Sequence, residues 1–293
     1  MSVPLITDRQ LLRQRLARAA GRQQRDAGFL LAEAVRDLGS RLAAVDRRFE
    51  RAVALCGYTA GLADEIAASG KANLIFRMEF GPALAGSGGY LTFVADEERL
   101  PLAPASVDLI ASTLALQFVD DLPGALAQIR RALKPDGLFL ASLPGGQTLL
   151  ELRQCFTEAE LNLRGGAGPR FLPLADVRDL GALLQRAGFA LPVADRDVIT
   201  VRYDTAFDLM RDLKAMGVSN MLADRERVPL RRDVLATAAD LYRQRFADAD
   251  GRIRATFEII SLSGWAPHEN QQKPAARGSA QVSLADILGR KEP

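Results

Sequence analysis

Five strand-length apolar runs alternate with stretches whose apolar residues recur at helical spacing. The runs are RAVALC (51–56), NLIFRME (73–79), YLTFVA (90–95), VDLIAST (107–113) and GLFLASL (137–143). The helical stretches include TAGLADEIAAS (59–69) and LPGALAQIRRAL (122–133). A chain that switches between these two periods has few ways to fold, because its apolar strands are shielded on both faces only when helices cross from one parallel strand to the next. Lys134, Pro135, Asp136 and Gly137 end the second helix and turn the chain into the next strand, since proline bars helical continuation and glycine permits the turn. Two later runs, VADRDVITVRY (193–203) and ATFEIISLSGW (255–265), complete a mixed sheet of about seven strands, the last pair antiparallel. The fold class is α/β, Rossmann-like.

Two helices precede the sheet, at about 8–22 and 27–46, and residues 1–48 form an N-terminal helical segment. The α/β domain spans 49–265, with helical cap insertions at about 147–187 and 205–246. The first insertion is interrupted by the loop RGGAGPRFLP (164–173) and lies over the ligand edge of the sheet. Residues 266–293 read as a polar tail, extended or disordered.

With 293 residues, 48% of them hydrophobic, the chain can bury a large core. A net charge of +2 supplies no basic field for phosphate backbones, which argues against nucleic acid as a partner. Cys56, Cys155 and the single histidine, His268, are too few for a disulfide framework or a cysteine and histidine metal cage. No metal is therefore expected, and the compartment is a reducing, cytoplasmic one. No apolar run reaches the roughly 18 to 20 residues of a membrane span, and the N-terminus lacks the apolar block of a secretory signal. Residues 9–25, RQLLRQRLARAAGRQQR, are arginine-rich without an acid. They read as an amphipathic helix with Leu11, Leu12, Leu16 and Ala19 on one side and solvated arginines on the other. The alternative is a presequence or a basic face for a membrane or partner.

In an open α/β sheet ligands bind beyond the carboxyl ends of the strands. After the first strand come Gly57 and Gly61, which let a ligand approach the backbone closely. Glu79 ends the second strand, where a carboxylate accepts from two ribose hydroxyls. Asp96 and Glu97 follow the third, where an acid accepts from an adenine amine and the next backbone amide donates to a ring nitrogen. Leu114, Gln117 and Phe118 follow the fourth and face the reacting end of a ligand. Met216 and Asn220 of the cap are candidates for substrate selection.

The blocks ADEERLPLAPASVDLI and LPGALAQIRRALKPDGLFLASLPGG resemble class I S-adenosylmethionine-dependent methyltransferases of the malonyl-carrier-protein methyltransferase type. ELRQCFTEAEL, VRDLGALLQRAGF, FDLMRDLKAMGVSN and GWAPHENQQKPAARGSAQVSL extend a resemblance to bacterial relatives of the complex I assembly factor 5 family, which is described as arginine hydroxylases. The resemblance implies S-adenosylmethionine as cofactor, with Glu79 as the ribose acid, Asp96 and Glu97 at adenine, and Leu114 to Phe118 beside the sulfonium. It also implies a respiratory complex I subunit as protein substrate, with the protein in the bacterial cytoplasm or peripheral at the inner membrane. Gln117 and Phe118 stand where this family usually carries histidine and tryptophan. In the first turn Ala54 stands at the family acid, and Cys56, Tyr58 and Ala60 stand at three family glycines unless the loop is realigned on Gly57 and Gly61. That departure keeps an alternative open, a noncatalytic assembly or binding protein with an eroded cofactor loop.

Overall fold

The computed structural model describes residues 5–22, 28–86 and 88–271. The tail expected beyond residue 271 lies outside the described residues. Seven strands form one sheet: β1 (Phe49–Leu55), β2 (Ala72–Glu79), β3 (Leu91–Val94), β4 (Val107–Thr113), β5 (Leu133–Pro144), β6 (Ala190–Tyr203) and β7 (Ile253–Trp265), in the order β3-β2-β1-β4-β5-β7-β6. The pairs from β3 through β5 are parallel, and β7 runs antiparallel to both β5 and β6. Strand order reverses between β1 and β4, the position at which open α/β sheets form a ligand crevice.

Period-two alternation assigns the two faces of the sheet. Val53, Leu55, Ile110, Phe139 and Ala141 point into one core with Leu12 and Leu16 of α1 (Arg9–Arg22) and with Leu126 and Ile129 of α4 (Leu122–Ala132). Ala52, Ala54, Leu109, Leu138 and Leu140 point the other way, against Leu38 and Leu42 of α2 (Phe29–Ala43) and Leu62 and Ile66 of α3 (Gly61–Ala68). A third core joins α5 (Leu150–Arg164), α7 (Ala206–Ala215) and α8 (Arg232–Phe246) to Phe257 and Ile259 of β7. Within the first expected insertion, α6 (Val177–Arg186) flanks the sheet instead of capping it. Its Leu180 and Leu184 are buried in the same core as Ile129 and Phe139.

The cap loop after α5 is held by one acid. Glu160, almost fully buried, accepts from the Gly168 amide at 3.0 Å and pairs with Arg164 and Arg170. Burial pushes its carboxyl up, but Arg170, the Gly168 amide and Arg164 more than offset this, so its pKa ends below the usual value.

β5 begins four residues earlier than the apolar run suggests. Leu133 pairs with Val107 and Leu138 with Leu109, so the Lys134–Gly137 turn is absorbed as a bulge in the ladder. The left-handed residue of this turn is Asp136, at φ 63, and Gly137 serves a different need. A Cβ on Gly137 would lie 2.9 Å from the Lys134 carbonyl oxygen and 3.1 Å from that of Asp108, both backbone. Gly137→Ala is therefore expected to destabilise the fold by about 1–3 kcal/mol, read as a lower urea midpoint at unchanged m-value.

Candidate active site

The turn after β1 keeps a path that glycine normally follows. Cys56 and Tyr58 adopt left-handed backbone, at φ 50 and 58, whereas Gly57 and Gly61 are not among the positive-φ residues. Two side-chain-bearing residues thus stand at positions that cost about 1–2 kcal/mol each outside glycine, while Ala60 is right-handed at φ −72. Gly57 is buried and tight, since a Cβ there would stand 3.3 Å from the Thr59 carbonyl oxygen and 3.4 Å from Leu62 Cβ.

Beyond this turn three carboxylates stand at the tips of β2 and β3. Glu79 is fully buried, accepts from the Tyr58 amide at 3.2 Å and pairs with Arg77 at 2.8 Å. Arg77 also donates to the Leu84 carbonyl at 3.2 Å. Asp96 and Glu97 share one partner, Arg9 of α1, whose Nη2 lies 2.5 Å from both Asp96 Oδ1 and Glu97 Oε2. Arg9 Nη1 donates to the Phe118 carbonyl at 3.1 Å, and the guanidinium carbon lies 4.1 Å from the centre of the Phe80 ring. The expectation that the arginines of α1 are all solvated is corrected here: Arg9 turns inward to two acids, and Arg15 donates to the Asn220 carbonyl at 2.6 Å. Burial and the neighbouring Glu97 push the Cys56 thiol and the Tyr58 phenol well above their usual pKa values.

Next to these acids, under the cap, lies a cavity of about 440 Å3. Its sheet side is formed by Tyr58, Thr59, Leu114, Gln117 and Phe118; α1 adds Leu16 and Ala19, and the cap adds Arg153, Arg170, Met216, Ser219 and Asn220. Five of the expected residues, Leu114, Gln117, Phe118, Met216 and Asn220, converge on this space. Gly57, Gly61, Glu79, Asp96 and Glu97 do not line it. They stand at its polar neighbour, joined to it through Tyr58 and Phe118. Gln117 Nε2 donates to the Leu114 carbonyl at 2.6 Å, which fixes the amide orientation. Its Oε1 is buried and has no hydrogen-bond partner among the described residues. Arg9, Arg77, Arg153 and Arg170 are the members that sequence reasoning missed.

The acceptor chemistry suits an adenosine: a carboxylate at each of two neighbouring strand tips, with the aromatic face of Phe80 beside them. Asp96 and Glu97 are, however, already paired with the Arg9 guanidinium.

Burial pushes the Glu79 carboxyl up to about 7, with Arg77 and the Tyr58 amide holding it back. In the unfolded chain the same group releases its proton near 4.5. Between these values the folded state binds more protons, so this group's contribution to stability is complete below the lower value and is lost as pH rises through the upper one. Wild-type Tm is expected to carry a falling component between about pH 5 and about pH 8, and Glu79→Gln to flatten that slope whatever its effect on absolute Tm.

A model of the methyltransferase domain family matches residues 66–141. The chain is 45% identical over 194 residues to arginine-hydroxylase NDUFAF5, mitochondrial, of Danio rerio, covering 66% of this chain and 60% of that protein. It is 45% identical over 197 residues to the Homo sapiens protein of that name, covering 67% and 57%. To malonyl-[acyl-carrier protein] O-methyltransferase of Xylella fastidiosa it is 41% identical over 172 residues, covering 59% and 56%. The chain thus spans less than two thirds of the length of these curated relatives. Among solved structures, a proposed methyltransferase of Bacillus halodurans superposes with a TM-score of 0.55 at 13% identity, over 79% of this chain and 98% of that one. The YcgJ protein of Bacillus subtilis superposes with a TM-score of 0.52 at 19% identity over the same shares. Strand order, domain model and relatives agree on a methyltransferase-type α/β fold, and over residues 66–141 the chain carries a segment that matches the methyltransferase domain family.

Proposed function

We propose that this protein is an S-adenosylmethionine-using enzyme of the methyltransferase family that modifies a protein side chain during assembly of respiratory complex I. The modification is methyl transfer from the sulfonium, which leaves S-adenosylhomocysteine and a proton, or arginine hydroxylation, in which dioxygen gives one oxygen atom to the side chain and an external two-electron reductant converts the other to water. The observation that carries the reading is the 45% identity to NDUFAF5 arginine-hydroxylases over two thirds of this chain. When bound, S-adenosylmethionine supplies an activated sulfonium methyl group. The chain's own contribution is a pocket that orients an acceptor and excludes water.

The cavity under the cap supports this reading. It is mostly apolar, it opens at the strand-order reversal, and it presents the unpartnered Gln117 Oε1. A buried acceptor of that kind is satisfied by an incoming N–H donor, which an arginine side chain supplies and an ester or thioester does not. Gln117 thus orients the acceptor and does not act as a base. We further place the protein in the bacterial cytoplasm, working at the inner face of the inner membrane on a complex I subunit. Among the described residues no helix is long and apolar enough to cross a membrane.

Ser219 lines the cavity from the cap side, a space that none of the three acids lines, so Ser219→Trp is chosen to fill the substrate space and spare the acid end. In a strain lacking the gene, complementation by wild type is expected to restore complex I. It should also add the mass of one oxygen or one methylene to an arginine-containing peptide of a complex I subunit. Ser219→Trp is expected to lose both while binding S-adenosylhomocysteine within about twofold of wild type. Complex I that assembles normally with Ser219→Trp, and no peptide that differs in mass between strains, would replace this reading with a noncatalytic assembly role.

A further inference from the structure

We infer that Arg9 is an internal occupant of the adenine end of the cofactor slot, so that docked α1 and a bound adenosine compete for the same carboxylates and the same aromatic face. The inference rests on the cofactor reading above and concerns what controls that site.

The geometry of Arg9 meets the demands that an adenine ring makes. A planar, delocalised group lies over Phe80, with the guanidinium carbon 4.1 Å from the ring centre. Its N–H groups are received by Asp96 and Glu97 at 2.5 Å, the acids at the tip of the third strand where an exocyclic amine is expected. Arg13, one turn on, lies over the same ring at 4.6 Å. The substitution of one planar donor for another is nevertheless imperfect. Arg9 Nε and the Tyr58 hydroxyl are both buried without a hydrogen-bond partner among the described residues. Unmet buried donors of this kind carry a desolvation penalty that a better-matched occupant relieves.

The element that carries Arg9 is stitched to the cap and not to the acids alone. Asp8 pairs with Arg225 at 2.9 Å, the Asp8 amide donates to the Met221 carbonyl at 2.8 Å, and Thr7 bridges to Leu222. Withdrawal of Arg9 therefore moves α1 together with the 220–225 segment. It also leaves Glu97, only 2% exposed, without its cation. That uncompensated charge holds the closed state in place until a ligand supplies a donor.

The test uses full-length protein and S-adenosylhomocysteine, with binding measured by calorimetry and α1 followed by amide hydrogen exchange. Arg9→Ala is expected to tighten binding by about tenfold or more, since the fraction of molecules with an open slot rises. Because Arg9→Ala strands Glu97 and could fail to fold, a second variant, Asp8→Ala, unties α1 from Arg225 while leaving Arg9 and both acids in place, and is expected to tighten binding in the same direction. In wild type, ligand is expected to reduce exchange protection across residues 9–22. Binding to wild type with no tightening in either variant, or with unchanged or increased α1 protection, overturns the inference and leaves the cofactor reading standing. No binding by wild type or by either variant at millimolar ligand overturns both.

Discussion

Three carboxylates at adjacent strand tips, Glu79, Asp96 and Glu97, have to be neutralised before this sheet can close over them. Two of the three are almost fully buried, and an uncompensated buried carboxylate costs several kcal/mol. The two solutions differ in kind. Glu79 is answered from within its own strand, because Arg77 sits two residues earlier and period-two geometry puts both side chains on one face. Asp96 and Glu97 are answered by Arg9, 87 and 88 residues upstream, on a helix outside the sheet. One neutralisation is thus a permanent property of β2, and the other lasts only while α1 is docked.

The first turn shows that path and chemistry can separate. Cys56 and Tyr58 follow the left-handed course that glycine takes without strain, so the Tyr58 amide still reaches Glu79. What changes is the content of the turn. The Cys56 thiol is fully buried against Glu97, and the phenol of Tyr58 stands between the acids and the apolar cavity. Side chains now occupy volume that glycines would leave open, and the strained backbone is retained because the buried acid beside it needs a backbone donor.

The strands were legible to within a few residues because apolar period and turn chemistry agree along β1 to β5. β5 is the exception at its start, where pairing of Leu133 with Val107 overrides the break expected at Pro135. Leu114, Gln117 and Phe118 were legible as cavity-lining residues because they follow a central strand, a position that topology alone makes an open edge of the sheet. The role of Arg9 was not legible. Amphipathic periodicity correctly buried Leu12 and Leu16, but it reports the mean direction of a face and says nothing of a long side chain at the helix start reaching round to distant acids. The same limit hid α6, whose two buried leucines fit a cap helix and a sheet-flanking helix equally well by sequence.

These observations make α1 the element through which the two ends of the site communicate. Leu16 and Ala19 line the cavity, Arg15 holds the Asn220 carbonyl beside it, and Arg9 closes the acid end. A ligand in the cavity that packs best against docked α1 necessarily disfavours an adenosine at Asp96, and the adenosine disfavours that ligand by the same factor, because coupling between two binding events is reciprocal. Under the proposed function, outward movement of the 220–225 segment on substrate docking would do the reverse, since Asp8 and Arg225 tie α1 to it. On that reading, the order in which cofactor and substrate load would be set by which of them better tolerates the withdrawn helix, a property of a single arginine and the acids it serves.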